Sequence, residues 1–312
     1  MPIRVNADNF TRAETDRMFH DLQRNAGGIN RFLHNREPAA IENQTVIRLN
    51  RDTLYSFAVV DVTQGATLEI PEHGDRYLSA MVVNEDHFVT SILHDAGVHD
   101  LPAGRFGTPY VVIAVRILVD PSDSADVAAV ASIQDEIALT SNAATPLAYP
   151  DYDTTSFDET RDALLSLARN LAGFDHMFGA ADEVEPVRHL IGTAAGWGGL
   201  PTSEAAYIGV DPRLPIGTYE LTIGEVPVDG FWSISVYNAQ GFFEPNDRGA
   251  YTVNNITGVP NEDGTITVRF GDYPAEVPNA IPITEGWNYL VRLYRPRAEV
   301  VDGDWQFPTL SD

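Results

Sequence analysis

Two long stretches of this chain are broken by turn formers into short runs of β-branched and aromatic residues, and that punctuation restricts the fold more than any other feature. Over residues 45–120 the runs read TVIRL, TLYSFAVVDV, ATLEI, RYLSAMVV, HFVTSIL and YVVIAVRILVD. Gln64-Gly65 and the segments 71–74, 84–86 and 102–104 separate them, a spacing that fits an antiparallel sheet or barrel. From Ala205 the pattern returns as AYIGV, GTYELTIG, GFWSISVYN, YTVNN, GTITVRFG and NYLVRLYRP, with a hairpin signal at 262–264. Runs spaced in this way predict a sandwich or jelly roll.

Between and before these halves the apolar period changes to that of helices. Thr11 and Glu14 read as a capping box, with Phe10, Met18, Phe19 and Leu22 as the buried stripe behind it. A second helix is expected over 126–139, a third capped by Ser156 and Glu159, and a short one over 184–191. TSNAATPLAYPDYDTT reads as a linker. The expected class is α+β, mainly β. An N-terminal antiparallel β-rich domain with flanking helices fills 1–145, a helical connector 146–200, and a jelly-roll-like sandwich 201–312.

Composition removes whole classes of chemistry. All 20 basic side chains are arginine, so no lysine is available for a Schiff base or for a phosphate loop of the Walker type. With no cysteine, thiol nucleophiles, thiolate metal sites and disulfides are absent. The 45 acidic side chains give a formal net charge of −25, which opposes binding to nucleic acid and to anionic membrane surfaces. The first residues lack a basic segment followed by an apolar run, so a cytoplasmic location is expected.

The segment VIRLNRDTLYSF, residues 46–57, begins and ends like a buried strand but carries Asn50, Arg51, Asp52 and Thr53 at its centre. Each of these needs a polar partner once water is removed. The stretch is therefore either a turn between two strands, with Arg51 and Asp52 holding each other, or a polar cluster built for a ligand. In the second reading Arg51 clamps a carboxylate while Asp52 or His87 acts as acid or base. Asn84, Glu85, Asp86 and His87 form another polar group, and Trp232, Tyr237, Asn238, Gln240 and Phe242 a third. His87, His94 and His99 are weak candidates for a divalent metal, since the odd separation of the first two sends them to opposite faces of a straight strand. No nucleophile elbow occurs, and GWGGLP is not a dinucleotide fingerprint.

LNRDTLYSFAVVDV and RYLSAMVVNEDHF resemble the N-terminal bacterial domain of unknown function numbered twelve fifty-four. GWGGLP, VDGFWSISVYNAQGFFEPN and WNYLVRLYRPRAEVVDGDWQFP resemble its usual C-terminal companion, numbered twelve fourteen. The resemblance implies the two-part β-rich fold and a homo-oligomer, and it carries no activity over to this chain. The expectation for function is an enzyme performing hydrolase- or lyase-like acid/base chemistry on a small organic molecule in a pocket between the two β units. Arg51, Asp52 and His87 are its catalytic candidates. Asn50, Thr53, Tyr55, Asn84, Trp197, Trp232 and Tyr237 are its substrate-binding candidates, and no organic cofactor is expected. The alternatives are a carbohydrate- or small-ligand-binding module and an oligomer-forming structural protein.

Overall fold

The computed structural model describes residues 1–42, 44, 47–169, 171 and 173–310. Its elements, in chain order, begin with α1 (Phe10–Asn25), β1 (Phe32–His34), β2 (Thr53–Asp61), β3 (Ala66–Ile70), β4 (Leu78–Asn84), β5 (Val89–Leu93), β6 (Gly97–Leu101) and β7 (Tyr110–Leu118). Then come α2 (Ser124–Glu136), β8 (Ala138–Ser141), α3 (Thr154–Ala168) and α4 (Pro186–Gly196). The chain continues through β9 (Ala205–Val210), β10 (Tyr219–Ile223), β11 (Trp232–Tyr237), β12 (Thr252–Asn254), β13 (Ile266–Phe270), β14 (Ala280–Ile281), β15 (Asn288–Tyr294) and α5 (Ala298–Val301). The class is α+β and mainly β, as the run pattern implied.

Where the sequence suggested three consecutive stretches, contacts group the chain into two compact units, each assembled from separate pieces. The first comprises Met1–Arg36, Tyr55–Leu118 and Ala129–Thr202; the second comprises Glu37–Leu54, Val119–Ala128 and Ser203–Asp312.

The first unit holds a five-stranded sheet in the order β1-β2-β7-β4-β5 and a three-stranded sheet in the order β6-β3-β8. Strand β7 is an almost unbroken apolar run and is buried from Val111 to Leu118, as a central strand covered on both faces requires. Helices α1, α3 and α4 share a core of Phe10, Ala13, Phe157, Leu164 and Ile191. Three local expectations are corrected here. The N-cap of α1 is Asn9, and Glu14 lies inside the helix, where it pairs with Arg17 and Arg161 instead of closing a capping box. Helix α3 starts earlier, with Asp153 accepting from the Ser156 amide. The supposed linker begins with β8, which pairs with β3, and its Thr145 amide donates to Asp61.

The second unit has two sheets, β12-β11-β15-β9 and β10-β13-β14. Their pairings are antiparallel except for the parallel β13–β14. The two sheets share a core of Ile223, Trp232, Ile234, Val268, Phe270, Trp287, Tyr289, Val291 and Leu293. That shared core makes the unit a two-sheet sandwich of seven described strands. The 262–264 turn is closed by backbone hydrogen bonds between Asn261 and Thr265 and between Gly264 and Asn261, and it leads into β13, whose strand partners are β10 and β14. The expected strand TVIRL starts at Thr45 and Val46, outside the described residues, and Ile47-Arg48 form a turn.

Candidate functional site

Alternation along β11 divides the second unit into two environments. Trp232, Ile234 and Val236 face the inter-sheet core, whereas Ser233, Ser235 and Tyr237 point to the opposite face. Strand β15 places Arg292 and Tyr294 on that same opposite face, in register with Ser233 and its neighbours. This second face is polar, yet it is buried, because segment 48–54 of the same unit packs over it.

The contacts there account for the polar centre of VIRLNRDTLYSF. Arg292, 3% exposed, donates to Ser235 Oγ (2.8 Å), Tyr237 Oη (2.8 Å), the Arg48 carbonyl (2.8 Å) and the Leu49 carbonyl (3.3 Å). Tyr237 in turn donates to the Leu49 carbonyl at 2.8 Å. Asn50 donates to Tyr294 Oη at 2.9 Å and to Thr53 Oγ1 at 3.3 Å, and its Oδ1 accepts from the Asp52 amide. Asp52, with no exposed surface, accepts from Thr252 Oγ1 at 2.8 Å. Its other oxygen, the Ser233 hydroxyl and the Asn254 amide nitrogen are buried without a hydrogen-bond partner among the described residues. Burial opposes the charge on Arg292, but Tyr237, Tyr294 and Asp52 outweigh it and raise its pKa.

Arg51 and Asp52 do not hold each other. The Arg51 guanidinium donates to the Ala39 carbonyl and lies 5.4 Å from the centre of the Tyr251 ring, and burial pulls its pKa down. Strand structure begins only at Thr53, so 49–52 is an irregular segment pinned to a sheet rather than a turn between two strands.

His87 belongs to the first unit, in the turn between β4 and β5, where it adopts φ 63°. Asn84 builds that turn, its Oδ1 accepting from the amides of Asp86 and Phe88 while its Nδ2 donates to the Phe106 carbonyl. The Gly198 amide donates to His87 Nε2 at 2.9 Å, which leaves the proton on Nδ1 to bond Thr193 Oγ1 at 2.8 Å. The ring stacks between His189 and Trp197, 5.3 Å from each. It is 1% exposed, and burial followed by the neighbouring His189 drives its pKa well below the usual imidazole value.

Trp197 donates to Thr15 Oγ1. Tyr55 stacks on Phe57 beneath the Arg116 guanidinium. His94 bonds the Leu78 carbonyl and His99 the Asp95 carbonyl; among the described residues no group of three or more metal-ligating side chains converges.

The candidates therefore form separate groups. Asn50, Asp52, Thr53 and Tyr237 gather on the polar face of the second unit, and Asn84, His87 and Trp197 gather in the first. Trp232 and Tyr237, five residues apart, lie on opposite faces of one strand and make no common aromatic wall. Sequence reasoning missed Arg292, whose signal was a lone charge inside the apolar run NYLVRLY. It also missed a Ser–His contact in the first unit, His34 Nδ1 to Ser56 Oγ at 2.8 Å. Ser56 has no exposed surface and receives a bond from Gln134, so its hydroxyl is not presented as a nucleophile.

The second unit also contains a cavity of about 390 Å3 at the Trp232 end of its core. Ile223, Val226, Val228, Trp232 and Ile266 line it, together with Glu225, Asn255, Ile256 and Pro260. Asn255 is fixed by accepting from the Trp232 amide at 2.7 Å. Four glycines, 224, 230, 258 and 264, complete the lining. A Cβ at Gly258 would stand 2.5 Å from the Asn254 carbonyl oxygen and one at Gly230 2.7 Å from that of Tyr294, whereas one at Gly224 meets nothing within 4 Å.

Residues 29–96 match the family described as protein of unknown function (DUF1254), and residues 215–298 match protein of unknown function (DUF1214). None of the curated proteins matches the chain. The chain is similar in fold to the VPA0106 protein from Vibrio parahaemolyticus (TM-score 0.72, 16% identity, covering 97% of this chain and 96% of that one). It is also similar to an uncharacterized protein from Burkholderia cenocepacia (TM-score 0.51, 15% identity, covering 93% and 84%). At these identities the likeness concerns the fold. Among the described residues no helix is long and apolar enough to cross a membrane.

Proposed function

We propose that this chain, a member of the two-domain DUF1254–DUF1214 family of unknown function, binds a small organic ligand in the cavity beside Trp232. The cavity carries the reading. Its volume of about 390 Å3 falls within the roughly 300–1,000 Å3 of small-molecule sites, and the surface it offers is mostly polar. Glu225 and Asn255 stand where they can bond polar groups of a ligand, and Val226, Val228 and Ile256, which keep part of their surface exposed, offer it apolar contact.

The acid/base alternative has less behind it. Both nitrogens of His87 are engaged by protein groups, Asp52 is fully enclosed, and Arg51 is held against a carbonyl and an aromatic ring. A catalytic group must reach the proton it moves, and His87 and Asp52 are closed off from solvent while the Arg51 guanidinium is held by the chain.

Gly224→Leu is the test, because a side chain there enters open space beside the cavity and the residue has no left-handed φ to strain. Ligand-observed NMR with a panel of small neutral, cationic and anionic aromatic and sugar-sized compounds is expected to find binders of the wild type. Those binders should be lost in the variant at an unchanged melting temperature. An empty panel, or binding that is equal in both proteins, overturns the proposal.

A further inference from the structure

We infer that His189 is a doubly protonated imidazolium in this fold, and that it acts as a proton-operated clasp fastening the 84–88 turn and the segment around Met177 to α4. Its side chain is buried, 6% exposed, and its partners belong to the same unit. Nδ1 stands 3.0 Å from the Met177 carbonyl oxygen and Nε2 3.1 Å from that of Asp86. A carbonyl oxygen only accepts, whereas a neutral imidazole has one N–H and one bare lone pair. Only the imidazolium can donate to both. In the neutral form one nitrogen would turn its lone pair on a buried oxygen, a loss that nothing nearby offsets. Among the described residues no other donor reaches either carbonyl.

The surroundings favour that charge. The ring stacks on Phe88 with centres 4.9 Å apart and planes 12° from parallel, and a cation over an aromatic face gains from the ring quadrupole. His87, stacked 5.3 Å away, is fixed as the neutral partner by the Gly198 amide at its Nε2. The two imidazoles therefore carry one extra proton between them, held by His189. The other titratable and charged groups facing α4 are engaged elsewhere. Between the turn and α1, Arg12 is shared by Glu85 and Asp86, and Asp16 accepts from Tyr152. Arg161 of α3 pairs with Glu14. Beside α4, Asp175 accepts from Thr202, Glu183 accepts from the Ala180 amide, and His176 meets the Glu183 carbonyl. Arg188 donates to the carbonyls of Gly173 and Asp175, and Glu185 caps the helix, its carbonyl accepting from the His189 amide. None of these side chains bonds the His189 ring, so the two carbonyls are what hold its protons.

Because both bonds need the second proton, the clasp is closed on the acid side and opens as pH rises, when one of the two carbonyls loses its donor. Histidine is the side chain that makes such a change between about pH 5 and 8. The Val89 amide, which donates to the Gly179 carbonyl at 2.9 Å, reports the opening, since it joins the end of the turn to the segment that Met177 anchors. The test is ring-nitrogen NMR of the full chain carrying nitrogen-labelled histidine, titrated across that range, with amide exchange read in parallel. On the acid side His189 is expected to show two protonated nitrogens while His87 keeps one bare. As His189 loses a proton, exchange at Val89, corrected for the intrinsic rate, should speed up about ten-fold or more, the scale of one lost hydrogen bond to a charged group. His189→Gln, whose amide carries its donors on a single nitrogen, assigns the signal and should hold Val89 exchange at the fast level at every pH. If that variant does not fold, through-bond correlation to the backbone assigns the signal and the wild-type titration decides alone. A bare nitrogen on His189 across the whole folded range, or deprotonation that leaves Val89 exchange unchanged, overturns the inference. Persistence of both protons throughout would uphold the imidazolium and overturn its role as a switch.

Discussion

Replacing Arg292 by methionine should be among the costliest single changes in the second unit. Methionine keeps much of the aliphatic length but removes four hydrogen bonds, to Ser235, Tyr237 and the carbonyls of Arg48 and Leu49. Tyr237 still donates to the Leu49 carbonyl, so that oxygen keeps a partner while Arg48 loses the donor to its carbonyl. A further, smaller cost falls on buried Asp52, whose through-space attraction to Arg292 ranks behind those of Tyr237 and Tyr294. Losing hydrogen bonds from a charged donor and leaving buried acceptors behind costs together about 3–5 kcal/mol. For a unit of this size that corresponds to a fall in Tm on the order of 10 °C. Urea unfolding followed by tryptophan fluorescence reads it directly, since Trp232, Trp287 and Trp305 all belong to or pack on the core of this unit. The decisive measurement adds Asp52→Asn. If the two charges depend on each other, the double variant recovers about 1–3 kcal/mol relative to the sum of the singles. A single-variant cost below about 1 kcal/mol, or additivity within about 0.5 kcal/mol, would refute the electrostatic account.

Two further perturbations act in the first unit. His87 stays neutral in the fold, while in the unfolded chain it gains a proton near pH 6.5, so its contribution is present above that pH and is lost as pH falls below it. His87→Asn, which tolerates the observed φ of 63°, should lower stability throughout and flatten the acid-side slope by about one proton; an unchanged slope in Tm against pH would sink the claim. Gly199→Ala places a Cβ 2.3 Å from the Phe178 ring, an overpacking that should cost about 1–3 kcal/mol in urea unfolding. Phe178→Leu in the same chain should recover part of it, and failure to do so would mean the glycine serves another purpose.

Much of the fold was legible because burial and period agree. YVVIAVRIL is apolar but for Arg116 and became a central strand; ATLEI alternates and became β3, with Thr67 and Glu69 turned outward. The capping boxes misled because a carboxylate close in sequence can be claimed by a distant cation: Glu14 pairs with Arg161, 147 residues away. The polar centre of VIRLNRDTLYSF was visible as an anomaly, but its explanation was not. Its partners, Thr252, Arg292 and Tyr294, lie roughly two hundred or more residues along the chain, and nothing local distinguishes a polar segment awaiting a sheet from one awaiting a ligand. The Trp232 and Tyr237 split was readable from strand parity alone. The cavity was not, since backbone and glycines contribute as much to it as any side-chain motif.

The piecewise make-up of the second unit sets an order on its birth. Segment 37–54 leaves the ribosome first, but Arg292, which grips it 244 residues later, is translated only after some 12–50 s at about 5–20 residues per second. Throughout that interval Asn50 and Asp52 have no sheet to bond and remain in water. The second unit therefore closes only after synthesis of β15, by capturing a segment made near the start. The fragment 203–312 made alone would present Ser233, Ser235, Tyr237 and Arg292 without the strip that covers them, so a soluble C-terminal domain is to be sought by supplying residues 37–54 in trans or by fusing them ahead of residue 203.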